Sequence, residues 1–70
     1  MTRAKWYAVI VLDRDGCDLS RSETQGKANA IAAARCYLSD PDYAGQVTRL
    51  EVCDADTGAC EWDHDVEVQS

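Results

Sequence analysis

The side chains of this 70-residue chain that could do chemistry are four cysteines, one histidine and 13 carboxylates, and their spacing limits the chemistry open to them. Cys17, Cys36, Cys53 and Cys60 include no Cys-x-x-Cys pair, so the ligand spacing of a zinc knuckle is missing. Met1–Leu12 contains no apolar segment ending in a small-residue cleavage site. The expected location is therefore cytoplasmic, where thiols stay reduced. This predicts free thiols, with Cys60 buried. His64 is flanked by Asp63 and Asp65, but neighbouring strand residues point to opposite faces, so neither carboxylate orients the ring. No nucleophile, base and orienting group come together around it. Packing opposite Leu50 is its expected role, and neither catalysis, a metal nor a cofactor is expected.

Two segments imitate the start of a calcium loop, Asp13-Arg14-Asp15-Gly16 and Asp54-Ala55-Asp56-Thr57-Gly58. An EF-hand loop needs Gly at its sixth position and Glu at its twelfth. In the second segment Gly58 falls fifth, and Asp65 occupies the twelfth place. Both segments are read as turns.

The remaining constellation is acidic. Residues 51–70 hold seven acidic side chains and no basic one, within a chain of net charge −6. Glu61, Asp63, Asp65 and Glu67 alternate along one expected strand, Glu51 lies across from Asp63, and Asp54 and Asp56 sit near the connecting turn. Alternate strand residues are ~6.8 Å apart, near the spacing of successive phosphates on a nucleic-acid strand. Carboxylates this close repel, and Arg49 is the only counter-charge among them. A basic groove on a partner would relieve that repulsion. A solvated outer face that discourages edge-to-edge pairing accounts for the same pattern without a partner. Direct binding of nucleic acid is disfavoured, because it needs a basic footprint. The candidate partner-binding residues are Glu51, Asp54, Asp56, Glu61, Asp63, Asp65 and Glu67.

These side chains need a scaffold. Trp6 to Leu12 is a β-branched apolar run without alternation, which predicts a central strand. It is the longest such run and too short to span a membrane. A turn at Asp15-Gly16 follows, and Cys17-Asp18-Leu19 adds a short returning strand. Ser20 with Glu23 and Ser22 with Gln25 form overlapping capping boxes, which predict a helix start there. Thr24, Ala28, Ile31, Ala34 or Arg35, and Leu38 recur at helical spacing as its apolar stripe. Ser39-Asp40-Pro41-Asp42 stops the helix.

Val47 to Cys53 and Cys60 to Val68 read as a hairpin whose Asp56-Thr57-Gly58 loop puts Gly in the left-handed position. Pairing Ala55 with Ala59 sets Leu50 against His64, Val52 against Trp62 and Thr48 against Val66 on the apolar side. The same register sets Arg49 against Asp65, Glu51 against Asp63 and Cys53 against Glu61 on the acidic side. Cys53 and Cys60 then point to opposite faces, which argues against a bridge between them. The expected fold is one α+β domain, a small antiparallel sheet of about three strands with one helix packed on one face.

A strand, a capped Ala-rich helix and a hairpin carrying the Glu51–Glu67 charge pattern, in about 70 residues, resemble the small phage-encoded anti-CRISPR proteins. The likeness lies in architecture and charge. It implies a non-enzymatic inhibitor that binds a type I CRISPR surveillance complex and blocks DNA recognition. Glu51, Glu61, Asp63, Asp65 and Glu67 would then stand where phosphates belong, beside Lys and Arg of a subunit of that complex. The segment Tyr7-Ala8-Val9-Ile10-Val11, then Asp15-Gly16-Cys17 and a helix with Ala30 and Ala34, is similar to HicB-type antitoxins. That family's Pro-Asp-x-x-Gly motif is missing between strand and helix. This second likeness implies a module that binds a basic toxin.

Overall fold

The fold was read from a computed structural model that describes residues 4–66. The elements run β1 (Trp6–Leu12), β2 (Asp18–Gln25), α1 (Lys27–Cys36), β3 (Arg49–Asp54) and β4 (Cys60–Asp65). The four strands form one antiparallel sheet of order β2-β1-β3-β4, so the apolar run of β1 lies in the interior of the sheet, as expected. One face of the sheet takes α1 and the segment leading to β3. Leu50, Val9, Val11, Val47 and Val52 are the largest fully buried side chains, and Ala30 and Ala34 press against them without exposure. The small alanine side chains let the helix approach the strands closely. The architecture belongs to the expected α+β class, with four full strands where about three were expected.

The difference lies in β2. The segment expected to open the helix, Ser20 to Gln25, continues the return strand and pairs with β1 from Trp6↔Gln25 to Leu12↔Asp18. Its Ser, Thr, Glu and Gln residues satisfy capping boxes and an edge strand equally well, and pairing with the whole length of β1 decides between them. The break comes at Gly26, whose φ of 91° no ordinary side chain tolerates. The Gly26 carbonyl accepts the first helical hydrogen bond, from the Ala30 amide at 2.9 Å. The helix therefore starts later than expected, and its buried stripe is Ala30 and Ala34, flanked by partly buried Ile31, Ala33, Tyr37 and Leu38. Ala28 is exposed and Thr24 belongs to β2. α1 ends at Cys36, and a tighter turn carries the chain on to Asp40, with Tyr37 donating to the Ala34 carbonyl.

The β3–β4 hairpin keeps the expected pairs Arg49↔Asp65, Leu50↔His64, Glu51↔Asp63 and Val52↔Trp62, and the Val66 amide donates to the Thr48 carbonyl. Its turn is one residue longer than expected. The Asp54 amide donates to the Ala59 carbonyl at 2.8 Å, enclosing Ala55 to Gly58, with Gly58 at φ 78°. A bulge beyond Val52 restores the register: Glu61 is skipped, and Cys53 faces Cys60 rather than Glu61.

Candidate partner-binding face

The helix covers only one side of the sheet. Along β1, Tyr7, Val9 and Val11 join the core, so alternation sends Trp6, Ala8 and Ile10 to the other side. The register places Arg21 and Glu23 beside them from β2, Glu51 and Cys53 from β3, and Asp63 and Asp65 from β4. Charge is uneven across this face, with its carboxylates gathered on β3 and β4.

Arg49 organises those carboxylates. Its Nε lies 2.9 Å from the Glu51 carboxylate, one terminal nitrogen 2.8 Å from Asp63, and the other 2.7 Å from Asp65. One guanidinium fork thus holds three acidic groups in a row, and they in turn raise its pKa above the ordinary arginine value, Glu51 most of all. The outer two carboxylates stay in solvent, with side chains 54% exposed at Asp63 and 82% at Asp65. This cation offsets part of the repulsion expected between them.

The other expected site residues part company with this row. Glu61, displaced by the bulge, stands 4.0 Å from the Lys27 ammonium at the start of α1. It therefore does not extend the row of Asp63 and Asp65. Asp54 is buried, only 3% exposed. Its Oδ1 accepts the amides of Asp56 at 2.8 Å and Thr57 at 3.3 Å, and its Oδ2 meets the Lys5 ammonium at 3.4 Å. The Asp56 amide, with Thr57 and Lys5, holds this carboxyl below the usual carboxylate range, and Asp54 in turn raises the Lys5 pKa. Asp54 is the side chain that shapes the hairpin turn, and a docking partner cannot reach it. Asp56 is exposed beyond it. Glu67 lies outside the described residues.

Two expectations reverse at the thiols and the imidazole. Cys53 is buried while Cys60 is exposed, because the bulge, not simple alternation, fixes their positions. His64 faces Leu50 but is exposed, its ring stacked on Trp62 with centroids 6.0 Å apart. Trp62 itself is half-buried under the Arg35 guanidinium, 5.8 Å from its ring centre. Among the described residues, no three His, Cys, Asp or Glu side chains converge to hold a metal ion.

One residue escaped sequence reasoning. Among the described residues, Trp6 is the large apolar side chain left in solvent, 52% exposed at the edge of the uncovered face. It lines a shallow recess with Lys5, Gln25 and Asp56, next to the hairpin turn. The apolar run from Trp6 to Leu12 hid it, since a tryptophan heading such a run reads as core.

Comparison with protein-family models, curated proteins and solved structures gives no significant match for this chain. No helix among the described residues is long and apolar enough to cross a membrane.

Proposed function

We propose that this chain is a non-enzymatic inhibitor that docks its uncovered sheet face on a basic, nucleic-acid-handling surface. We assign that surface to a type I CRISPR surveillance complex, where the protein occupies the site of target DNA. The observation that carries this reading is the row of Glu51, Asp63 and Asp65, gathered by Arg49 on a face that the helix and loops among the described residues leave uncovered. A preorganised row of carboxylates loses little freedom on meeting a second set of cations, so more of the electrostatic gain is retained in binding. Trp6 supplies an exposed aromatic of the kind that anchors protein interfaces.

The test is binding to a purified type I surveillance complex, with and without target DNA, at two salt concentrations. The expected result is binding that DNA displaces and that weakens with salt, because exposed charge pairs are screened beyond about 8 Å at physiological ionic strength. Salt-insensitive binding that coexists with DNA would reject the phosphate-like role. Failure to bind any such complex, together with capture of a basic toxin, would establish the antitoxin reading instead.

A further inference from the structure

The bulge that displaces Glu61 also acts on sulfur. With Glu61 skipped, Cys60 comes into register opposite Cys53, and facing residues of an antiparallel pair project to the same side. The adjacent pair is closed by the Asp54 amide donating to the Ala59 carbonyl at 2.8 Å. Hydrogen-bonded and non-hydrogen-bonded pairs alternate along such a ladder. Cys53 and Cys60 therefore occupy a non-hydrogen-bonded position, where Cα atoms stand ~4.5 Å apart and side chains approach most closely. A disulfide spans that separation.

Access to the two thiols differs. Cys60 is exposed, whereas Cys53 is buried and lines a recess with Ala8, Ile10, Arg21 and Ala55. Burial and the adjacent Cys60 thiol push the Cys53 thiol up to about 11. First attack on an oxidant thus falls to Cys60, and Cys53 is placed to resolve the product.

We infer that Cys53 and Cys60 form a reversible dithiol–disulfide pair oxidised by hydroperoxides. The Cys60 sulfur attacks a peroxide oxygen, the O–O bond breaks, and Cys60 becomes a sulfenic acid; from hydrogen peroxide, one water leaves. The Cys53 sulfur then attacks the Cys60 sulfur and gives up its proton. The S–S bond forms, the S–O bond breaks, and the hydroxyl leaves as a second water. The two thiols lose two electrons and two protons, and the peroxide gains them. A soluble thiol reductant reverses the step by exchange. The pair lies on the uncovered face, but its chemistry does not require the proposed partner.

The test uses the full chain with the exposed Cys17 and Cys36 replaced (Cys17→Ser, Cys36→Ser), treated with hydrogen peroxide and followed by intact mass, thiol counting and peptide mapping. The expected product is a monomer lighter by two hydrogens, without free thiol, carrying a Cys53–Cys60 linked peptide, and dithiothreitol restores it. Adding Cys53→Ser should stop the reaction at a Cys60 sulfenic acid that dimedone traps. The wild-type chain, mapped in the same way, should give the same linked peptide. Over-oxidation of Cys60 with Cys53 left free, a mainly intermolecular disulfide, or no reaction would each overturn the inference.

Discussion

Arg49 and Asp63 meet on the diagonal: guanidinium and carboxylate are 2.8 Å apart, although the register sets Arg49 opposite Asp65 and Asp63 opposite Glu51. Diagonal neighbours in a sheet lie within reach of long side chains, and the planar fork of arginine serves several carboxylates at once. The acidic row is thus a structure in its own right, with its own cation.

Replacing that cation exposes the repulsion it offsets. Arg49→Gln should fold but melt a few degrees lower at low salt, and the gap should narrow as salt rises. Arg49→Lys should recover only part of the loss, because a point charge cannot hold three carboxylates. Thermal melts at two ionic strengths read this out. Identical melting of all three proteins would mean that the ion pairs contribute nothing to the fold.

Leu50 is fully buried at the centre of the core, facing Val11 on one side and His64 on the other. Leu50→Ala should cost about 2–5 kcal/mol, as large-to-small core substitutions do. In a domain this small that approaches the whole stability. Trp62→Ala should cost less, since Trp62 is only half-buried. Denaturant midpoints of the two variants should fall in that order.

Asp54 links stability to pH. The Asp56 and Thr57 amides and the Lys5 ammonium lower its pKa from 3.8 in the folded chain. A depressed folded pKa gives a contribution fully present above the unfolded value and lost as pH falls through the folded one. Asp54→Asn keeps an oxygen acceptor for the turn amides but not the charge facing Lys5, and Asp54→Ala keeps neither. At neutral pH the expected order of stability is wild type, Asn, Ala. Wild type and Asn should converge in acid. Urea unfolding at neutral and acidic pH checks both statements.

Removing charge from the face without changing its shape separates binding from folding. Glu51→Gln, Asp63→Asn and Asp65→Asn together should leave a folded protein that no longer binds the surveillance complex. Trp6→Ala should leave the melting point nearly unchanged and weaken binding by roughly tenfold or more, as loss of an aromatic anchor does. Unaltered affinity in both variants would place the docking surface elsewhere.

What could be read from the residues was set by how sharply each segment chooses between states. β1 and the Leu50–Val52 and Trp62–His64 pairings were legible because burial on one side and alternation on the other fit only one register. The position of Gly58 in its turn was legible for the same reason, since few residues accept its φ. The continuation of β2 from Ser20 to Gln25 was not, because an edge strand with solvent around it carries no apolar alternation, and its polar residues cap a helix equally well. Gly26 carried the missing signal, a residue able to turn the chain between strand and helix. The bulge escaped because its effect cancels: a turn one residue longer and one skipped residue restore the pairs beyond it. The placing of Glu51, Asp63 and Asp65 on one face was legible from the register. Asp54 and Glu61 departed from the expected site because one is engaged by the turn amides and the other is displaced by the bulge.

The β1–β3 seam joins Tyr7 to Asp54 and Leu12 to Arg49, residues far apart along the chain. The two hairpins flanking it close through short turns and can form locally, but the seam must wait for everything between them. On the ribosome, β1, β2 and α1 emerge before β3, so Val9 and Val11 remain without Leu50 and Val52 as neighbours until β3 has followed. The sheet is therefore expected to assemble from both ends inward, with this seam last. The step that limits its rate should be the meeting of the two halves, the kind of non-local pairing that slows β-rich domains.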